Sequence, residues 1–199
     1  MLDEPTQLAV IRGLQRGSRD AWTALYDNYS VAVWQYAGRL LGPHTAAVAD
    51  VVQETFLEAA ASARNFDSDR GTIWSWLTGI VHHRVSAHWR QTNRTARLRQ
   101  LAPNVCLEAQ NALNDGQTIE TAAQQRELAE FVRCVLAQLP AEYAALLTAK
   151  YLDDASLQEL SLQWNSSVEA IKSKLARARR EFRGSFAKLS ENQPSSTHN

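Results

Sequence analysis

Residues 156–183 place the strongest constraint on what this chain can fold into. Ser156 and Glu159 stand at the spacing of a capping box, so a short helix is predicted to begin there. Asn165 tolerates the left-handed backbone conformation that a tight turn needs, and a second amphipathic segment follows at once. A short helix, a tight turn and a second helix are typical of a helix-turn-helix, whose second helix enters the DNA major groove.

The second helix of this motif is predicted to have one apolar face and one cationic face. Ser166 or Ser167 can cap its start, and apolar residues recur every three to four positions as far as residue 186. A basic terminal helix is often only a solvated surface, but the capped helix before it favours DNA binding. The apolar residues are Val168, Ile171, Leu175, Ala178, Phe182 and Phe186, and the basic residues are Lys172, Lys174, Arg177, Arg179, Arg180 and Arg183.

Charge is distributed in blocks along the chain, although the formal net charge is zero. Residues 84–99 contain five arginines and no acidic residue, whereas residues 106–130 contain five acidic residues and one arginine. Residues 84–99 are the first basic block, and the basic helix over residues 168–186 is the second. Two basic blocks with an acidic block between them predict two separate contacts with nucleic acid.

The chain is predicted to be all-α, with two small helical domains joined by a flexible linker. Glycine is sparse, with eight residues, and no segment shows the alternation of a β-strand. Residues 1–97 form the predicted first domain and residues 122–189 the second. Residues 98–121 lose the helical period and are predicted to be the linker, and residues 190–199 have the composition of a disordered tail.

The expected location is the cytoplasm, in association with the nucleoid, and no cofactor or metal is expected. No apolar run approaches the length of a membrane span, and the first residues lack the pattern of a signal peptide. Cys106 and Cys134 are isolated, which favours reduced thiols over a zinc site or a disulfide. His82, His83 and His88 do not converge on one helix face, and no carboxylate lies among them, so they do not indicate a metal site.

The hydrophobic periodicity predicts four helices in the first domain, over residues 5–16, 20–41, 45–63 and 72–94. Gly17-Ser18 and Gly42-Pro43 are predicted to end the first two. The predicted inward side chains include Tyr26, Ala60 and Trp76, whereas His82, His83, Ser86, Arg90 and Arg94 are predicted on the outer face of the fourth helix.

The third predicted helix has an outer face that combines acidic residues with a leucine. Asp50, Gln53, Glu54, Leu57 and Glu58 share this face. Leucine gains nothing from contact with water and would gain from a partner helix. The strip therefore favours docking of another protein.

The segment before the fourth predicted helix contains turn formers and no period, which predicts a loop over residues 65–72. Phe66 and Arg70 can stack on and hold an unpaired base, while the backbone and short polar side chains read its edge. The alternative is that Phe66 only anchors the loop to the core. The basic end of the helix after the loop, next to aromatic rings, suits a surface that holds separated DNA strands.

Taken together, these motifs resemble bacterial RNA polymerase sigma factors of the extracytoplasmic-function type, which form group 4 of the sigma-70 family and keep only its second and fourth conserved regions. The order of the motifs is more specific than the helix-turn-helix alone. The resemblance rests on residues 20–26 (DAWTALY), 50–57 (DVVQETFL), 76–80 (WLTGI), 139–140 (LP) and 156–179.

The resemblance implies a role for each of these segments. The strip would dock on the clamp helices of the polymerase largest subunit through Asp50, Gln53, Glu54 and Leu57. The loop would capture a flipped base of the −10 element, and the second helix of the helix-turn-helix would read the −35 element. The implied −10 contacts are Asn65, Phe66, Asp67, Ser68, Arg70, His82, His83 and Arg90, and the implied −35 contacts are Ser167, Lys172, Ser173, Lys174 and Arg177.

The resemblance therefore implies a sigma factor that binds core polymerase and directs promoter recognition and opening on duplex and single-stranded DNA. An anti-sigma protein, which holds many members of the family inactive, is a candidate partner, and no direct membrane insertion is expected. The residues alone leave open an alternative, a helix-turn-helix regulator that binds duplex DNA without being a polymerase subunit. An enzyme is not indicated, because no nucleophile with its base, metal cluster or phosphate-binding glycine loop is visible.

Overall fold

The computed structural model describes residues 4–43, 45–92 and 122–191, and within these ranges every regular element is helical, which confirms the all-α prediction. Cys106, the predicted linker and residues 192–199 of the predicted tail lie outside the described residues. The first domain consists of α1 (Glu4–Gln15), α2 (Arg19–Leu41), α3 (Thr45–Ser62) and α4 (Ile73–Gln91). The second consists of α5 (Ala122–Gln138), α6 (Ala141–Tyr151), α7 (Leu157–Gln163) and α8 (Val168–Glu191).

The helix ends follow the capping residues of the sequence. The Ser18 hydroxyl accepts a hydrogen bond from the Ala21 amide at 3.4 Å at the start of α2, and the Thr72 hydroxyl accepts one from Ser75 at 3.1 Å at the start of α4. Helix α2 ends at Gly42, whose φ of 77° is readily adopted only by glycine. The predicted breaks at Gly17-Ser18 and Gly42-Pro43 are confirmed.

Helix α2 is the central element of the first domain and packs against α1, α3 and α4. Its residues Leu25, Val33 and Leu40 have no exposed surface, and the Tyr29 ring is also buried. Burying one such aliphatic side chain contributes about 1.5–3 kcal/mol. The packing of these side chains holds α3 and α4 in fixed positions, and with them the predicted strip and the loop.

Two predictions about the first-domain core are wrong. Tyr26 is 54% exposed, although its ring lies against Phe56 with 5.0 Å between the ring centroids. Ala60 is exposed on the outer side of α3. Trp76 is half-buried and packs against the core, as predicted, and Trp74 is buried as well, where it makes an edge contact with Tyr36.

In the second domain, α5 and α6 pack against the apolar face of α8. Phe131, Leu146 and Ile171 are almost completely buried between them, and the Phe131 ring meets Phe186 edge to face with 4.8 Å between centroids. Helix α8 continues to Glu191, two residues beyond the predicted domain boundary at residue 189. Cys134 is buried in α5, and Gln138 Nε2 lies 3.2 Å from its sulfur.

The two domains pack against each other, with one cluster of buried side chains extending through both. Helix α4 of the first domain contacts α5 and α6 of the second. Beside this contact lies an open cavity of about 1300 Å³ lined by both domains. Across the described ranges, no helix combines the length and apolar character that crossing a bilayer requires.

Candidate polymerase and nucleic-acid interfaces

The strip on α3 is exposed as the sequence predicted. Asp50, Gln53 and Glu54 are exposed, and Leu57 is exposed to 62%. On the opposite side of the helix, Thr55 is fully buried. The strip thus presents an apolar side chain among acidic ones on a helix whose other face is fixed in the core.

An arginine of α4 orders the acidic residues of this strip. The Arg84 Nε lies 2.7 Å from Glu58 Oε2, and its NH1 lies 3.4 Å from Glu54 Oε2. Partly exposed pairs of this kind contribute little to stability, but they hold the carboxylates in one orientation. No local sequence pattern predicted this role of Arg84, because 26 positions separate it from Glu58.

The loop before α4 is more ordered than predicted, because it contains two 3-10 turns, Ala63–Asn65 and Ser68–Arg70. The Asp67 carboxylate accepts a hydrogen bond from the Asp69 amide at 2.9 Å and caps the second turn. The side chains of Asn65, Asp67 and Ser68 are exposed, and the side chain of Arg70 lies outside the described part of the structure. The loop therefore presents short polar groups in a fixed arrangement.

Phe66 is half-buried and holds the loop against the domain. Its ring centroid lies 5.0 Å from that of Trp76, and its carbonyl oxygen accepts a hydrogen bond from Gln15 Nε2 at 3.2 Å. These contacts connect the loop to α1 and α4. The contacts with Trp76 and Gln15 favour the interpretation that Phe66 anchors the loop over the interpretation that its ring stacks on a base.

The outer face of α4 agrees only in part with the sequence analysis. His83 and Arg90 are exposed as predicted. The prediction that His82 lies outside is wrong, because α5 covers it: its Nε2 lies 3.2 Å from the Leu136 carbonyl oxygen, and only 8% of the residue is exposed. Burial lowers the pKa of the His82 imidazole, an effect that the hydrogen bond to Leu136 opposes.

The predicted helix-turn-helix is confirmed in its local geometry. The Ser156 hydroxyl accepts from the Glu159 amide at 3.2 Å, and the Glu159 carboxylate accepts from the Ser156 amide at 2.7 Å, which completes the capping box. These hydrogen bonds to Ser156 lower the pKa of Glu159. Asn165 has a φ of 44°, and the Ser167 hydroxyl caps α8 by accepting from the Ala170 amide at 3.1 Å.

Replacing Ser156 with alanine is expected to destabilise the protein by about 1 kcal/mol, because the Glu159 amide loses its hydrogen-bond acceptor. The midpoint of urea unfolding, followed by circular dichroism, measures this loss. Ser173→Ala, an exposed serine in the interior of α8, is the control and should not lower the midpoint. Equal midpoints for both variants would show that the capping box does not stabilise the motif.

Helix α8 turns a polar face outward, opposite to its buried face. Ile171, Leu175 and Ala178 are buried, and the helical period places Ser173, Arg177 and Arg180 on the other side, where all are exposed. Arg180 was not among the implied −35 contacts, although its spacing from Ser173 and Arg177 indicates the same face.

Three other implied −35 contacts have partners within the domain. Lys174 is less exposed than its neighbours and forms an ion pair with Glu142 of α6. The Lys172 Nζ lies 3.8 Å from Glu169 Oε1, and Ser167 is occupied as the helix cap. Ser173 and Arg177 are therefore the implied contacts whose side chains lie nearest the centre of the exposed face.

Each domain of the chain matches the model of a known protein family. Residues 25–95 match the family model of sigma-70 region 2, and residues 132–182 match that of sigma-70 region 4. The first match covers most of α2, the strip, the loop and α4. The second match begins within α5 and ends at Phe182 of α8.

Relatives resemble the chain over nearly its whole length. The ECF RNA polymerase sigma factor SigW of Bacillus subtilis (strain 168) is 28% identical over 185 residues, which cover 87% of this chain and 92% of the relative. The ECF RNA polymerase sigma-E factor of Haemophilus influenzae is 25% identical over 187 residues, covering 90% and 94% of the two chains. A chain in the structure of CnrH in complex with the cytosolic domain of CnrY matches 94% of this chain and 99% of its own length, with a TM-score of 0.48 and 21% identity.

Proposed function

This chain belongs to the RNA polymerase sigma factors of the extracytoplasmic-function type, which act in transcription initiation, and we propose that it docks on the clamp helices of the polymerase largest subunit through the α3 strip. The observation that carries this proposal is Leu57, which is 62% exposed on the face that bears Asp50, Gln53 and Glu54. A partner helix would remove the leucine from water and place cations beside the carboxylates.

The second domain binds the −35 duplex through α8. The exposed Ser173 and Arg177 lie in the N-terminal half of this helix, the part that reaches base edges in a helix-turn-helix. Lys172 and Arg180 flank them and suit the phosphates on either side of the groove. A good base contact of this kind contributes about 1–3 kcal/mol of discrimination.

The first domain binds the −10 element in its unpaired form. The exposed Asn65, Asp67 and Ser68 offer hydrogen-bonding groups to the edge of a flipped base, and Phe66 holds the loop that carries them. His83 and Arg90 extend the contact along α4, whereas α5 covers His82. Because stacking contributes about 1–3 kcal/mol per base, binding the open strand offsets the cost of strand separation.

Promoter DNA and core polymerase are thus the proposed partners, with an anti-sigma protein as a further candidate and the cytoplasm and nucleoid as the location. No bond is made or broken by the protein's own side chains in this function. The alternative of a regulator independent of polymerase is not favoured, because both domains match sigma regions. That alternative predicts tight duplex binding in the absence of polymerase and a symmetric operator.

Run-off transcription on genomic fragments tests the proposed function. Core polymerase with the protein should start RNA at discrete sites that core polymerase alone does not use, and alignment of those sites should reveal two conserved elements upstream. If the protein does not direct core polymerase to initiate at any site, the proposed function is refuted.

Replacing Phe66 with alanine is expected to reduce permanganate reactivity of the −10 thymines about tenfold, because the loop loses its contact with Trp76 and no longer presents its polar edge. Initial binding to the duplex should change little. Tyr26→Ala is the control, since it removes a similar ring contact, with Phe56, outside the loop. Normal melting with Phe66→Ala would refute the role of the loop.

A further inference from the structure

Helix α8 is attached to α6 by a polar contact on each side of its buried face. The Lys174 ammonium forms an ion pair with the Glu142 carboxylate, which lies in the first turn of α6. Arg179 NH1 donates a hydrogen bond to the Tyr151 hydroxyl at 3.1 Å, and Tyr151 is the last residue of α6. The two contacts therefore join α8 to both ends of α6.

The helical period places these two side chains on opposite sides of the apolar stripe of α8. At about 100° per residue, Lys174 lies about 60° to one side of the buried Ile171, and Arg179 lies about 80° to the other side. Apolar burial is non-directional, so the stripe alone tolerates small rotations of the helix. A polar contact on each flank opposes rotation of α8 in either direction.

The rotation of α8 about its axis decides which atoms the helix presents to DNA. Ser173 and Arg177 are exposed on the face opposite the apolar stripe. A rotation of about 20° would move a side-chain atom that lies about 6 Å from the helix axis by about 2 Å. Hydrogen bonds to base edges tolerate smaller shifts, because their donor–acceptor distances span a range of only about 0.5 Å. A small rotation would therefore break base contacts, whereas phosphate contacts, which carry no sequence information, would be less affected.

We propose that Lys174 and Arg179 are positioning residues, which fix the rotation of α8 against α6 so that Ser173 and Arg177 meet the base edges of the −35 element. The inference rests on the proposed function. It gives Lys174 a different role from the DNA contact that the family resemblance implied. The partners of the two residues on α6 then influence −35 specificity through the orientation of α8.

The surroundings of Lys174 support this role. Its side chain is 33% exposed, whereas that of Lys172, two positions earlier on α8, is 58% exposed. The Glu142 carboxylate lies at the start of α6, where the positive end of the helix dipole favours a negative charge. A partly exposed ion pair contributes little to stability. Its loss should therefore alter the orientation of α8 without unfolding the domain.

Lys174→Met tests the positioning role, because it removes the charge and keeps an apolar stem. The −35 preference is measured as the ratio of two holoenzyme Kd values, one for a promoter whose −35 element is replaced and one for the same promoter intact. This ratio should fall about fivefold, with the slope of log affinity against log salt concentration unchanged. Lys172→Met is the matched contrast. As the loss of a phosphate contact, it should lower the magnitude of the slope by about one and leave the preference unchanged.

Three further variants test the partners on α6. Glu142→Gln should lower the −35 preference as much as Lys174→Met does. Combining Glu142→Lys with Lys174→Glu should restore it, because the pair is re-formed with its charges exchanged. Tyr151→Phe, which removes only the hydroxyl that Arg179 contacts, should lower the preference in the same direction. The midpoint of urea unfolding should stay near that of the wild type in each variant.

A salt slope that decreases by about one in Lys174→Met would overturn the proposal and make Lys174 a phosphate contact. An unchanged −35 preference in that variant, or no recovery when the charges of the pair are exchanged, would overturn it as well. The proposed function fails separately, if the wild-type holoenzyme starts RNA at no site in run-off transcription.

Discussion

Replacing Leu57 with aspartate is expected to weaken binding to core polymerase about thirtyfold or more, with the fold intact. The leucine lies at the centre of the α3 strip and is already 62% exposed, so its loss should change the free energy of unfolding by less than about 0.5 kcal/mol. In a complex, the same side chain would be desolvated at the centre of the contact, where single residues dominate binding energy. Titration of fluorescently labelled protein with core polymerase measures the change.

Val31→Asp is the matched control for this prediction. Val31 is an aliphatic residue of the first domain with 67% exposure, and it lies on α2, away from the residues of the strip. The two substitutions introduce the same charge at similarly exposed positions. Equal affinities of the Leu57 and Val31 variants for core polymerase would exclude the strip as the docking surface.

Replacing Arg177 with alanine is expected to weaken holoenzyme binding to a promoter located by start-site mapping about tenfold. Arg177 is exposed at the centre of the outward face of α8, opposite Leu175 and Ala178. If Arg177 contacts a phosphate, the slope of log affinity against log salt concentration should decrease in magnitude by about one, with the −35 preference unchanged. If its contact is to a base, the preference at one −35 position should relax instead.

Arg183→Ala provides the control on the same helix. It removes the same charge, but Arg183 stands nearly two turns further along α8 and borders an apolar groove formed with Phe182 and Leu136. Affinity, salt dependence and promoter preference should stay near those of the wild type. The assignment of Arg177 fails if its own variant changes neither the salt dependence nor the preference.

The features that the sequence predicted well are those that depend on neighbouring residues. The capping box of Ser156 and Glu159, the turn at Asn165 and the end of α2 at Gly42 all follow from interactions within a few positions. The strip around Leu57 was predictable for the same reason, because a helical period assigns each residue to a face.

The errors arise where the environment of a residue depends on distant parts of the chain. Tyr26 and Ala60 lie near the edge of an apolar stripe, and the period does not show where the stripe ends. His82 was placed outside because its environment comes from Leu136, 54 positions away. Arg84 was missed for a similar reason, since its pairing with Glu58 depends on how α4 packs against α3.

The most direct test of the account is footprinting of one promoter complex with two reagents, DNase I and permanganate. With core polymerase and this protein together, we expect protection of the −35 duplex and reactive thymines in the −10 element of the same DNA. The protein alone and core polymerase alone should give neither signal. Protection of a symmetric duplex site by the protein without polymerase, and no reactive thymines in any mixture, would contradict the account.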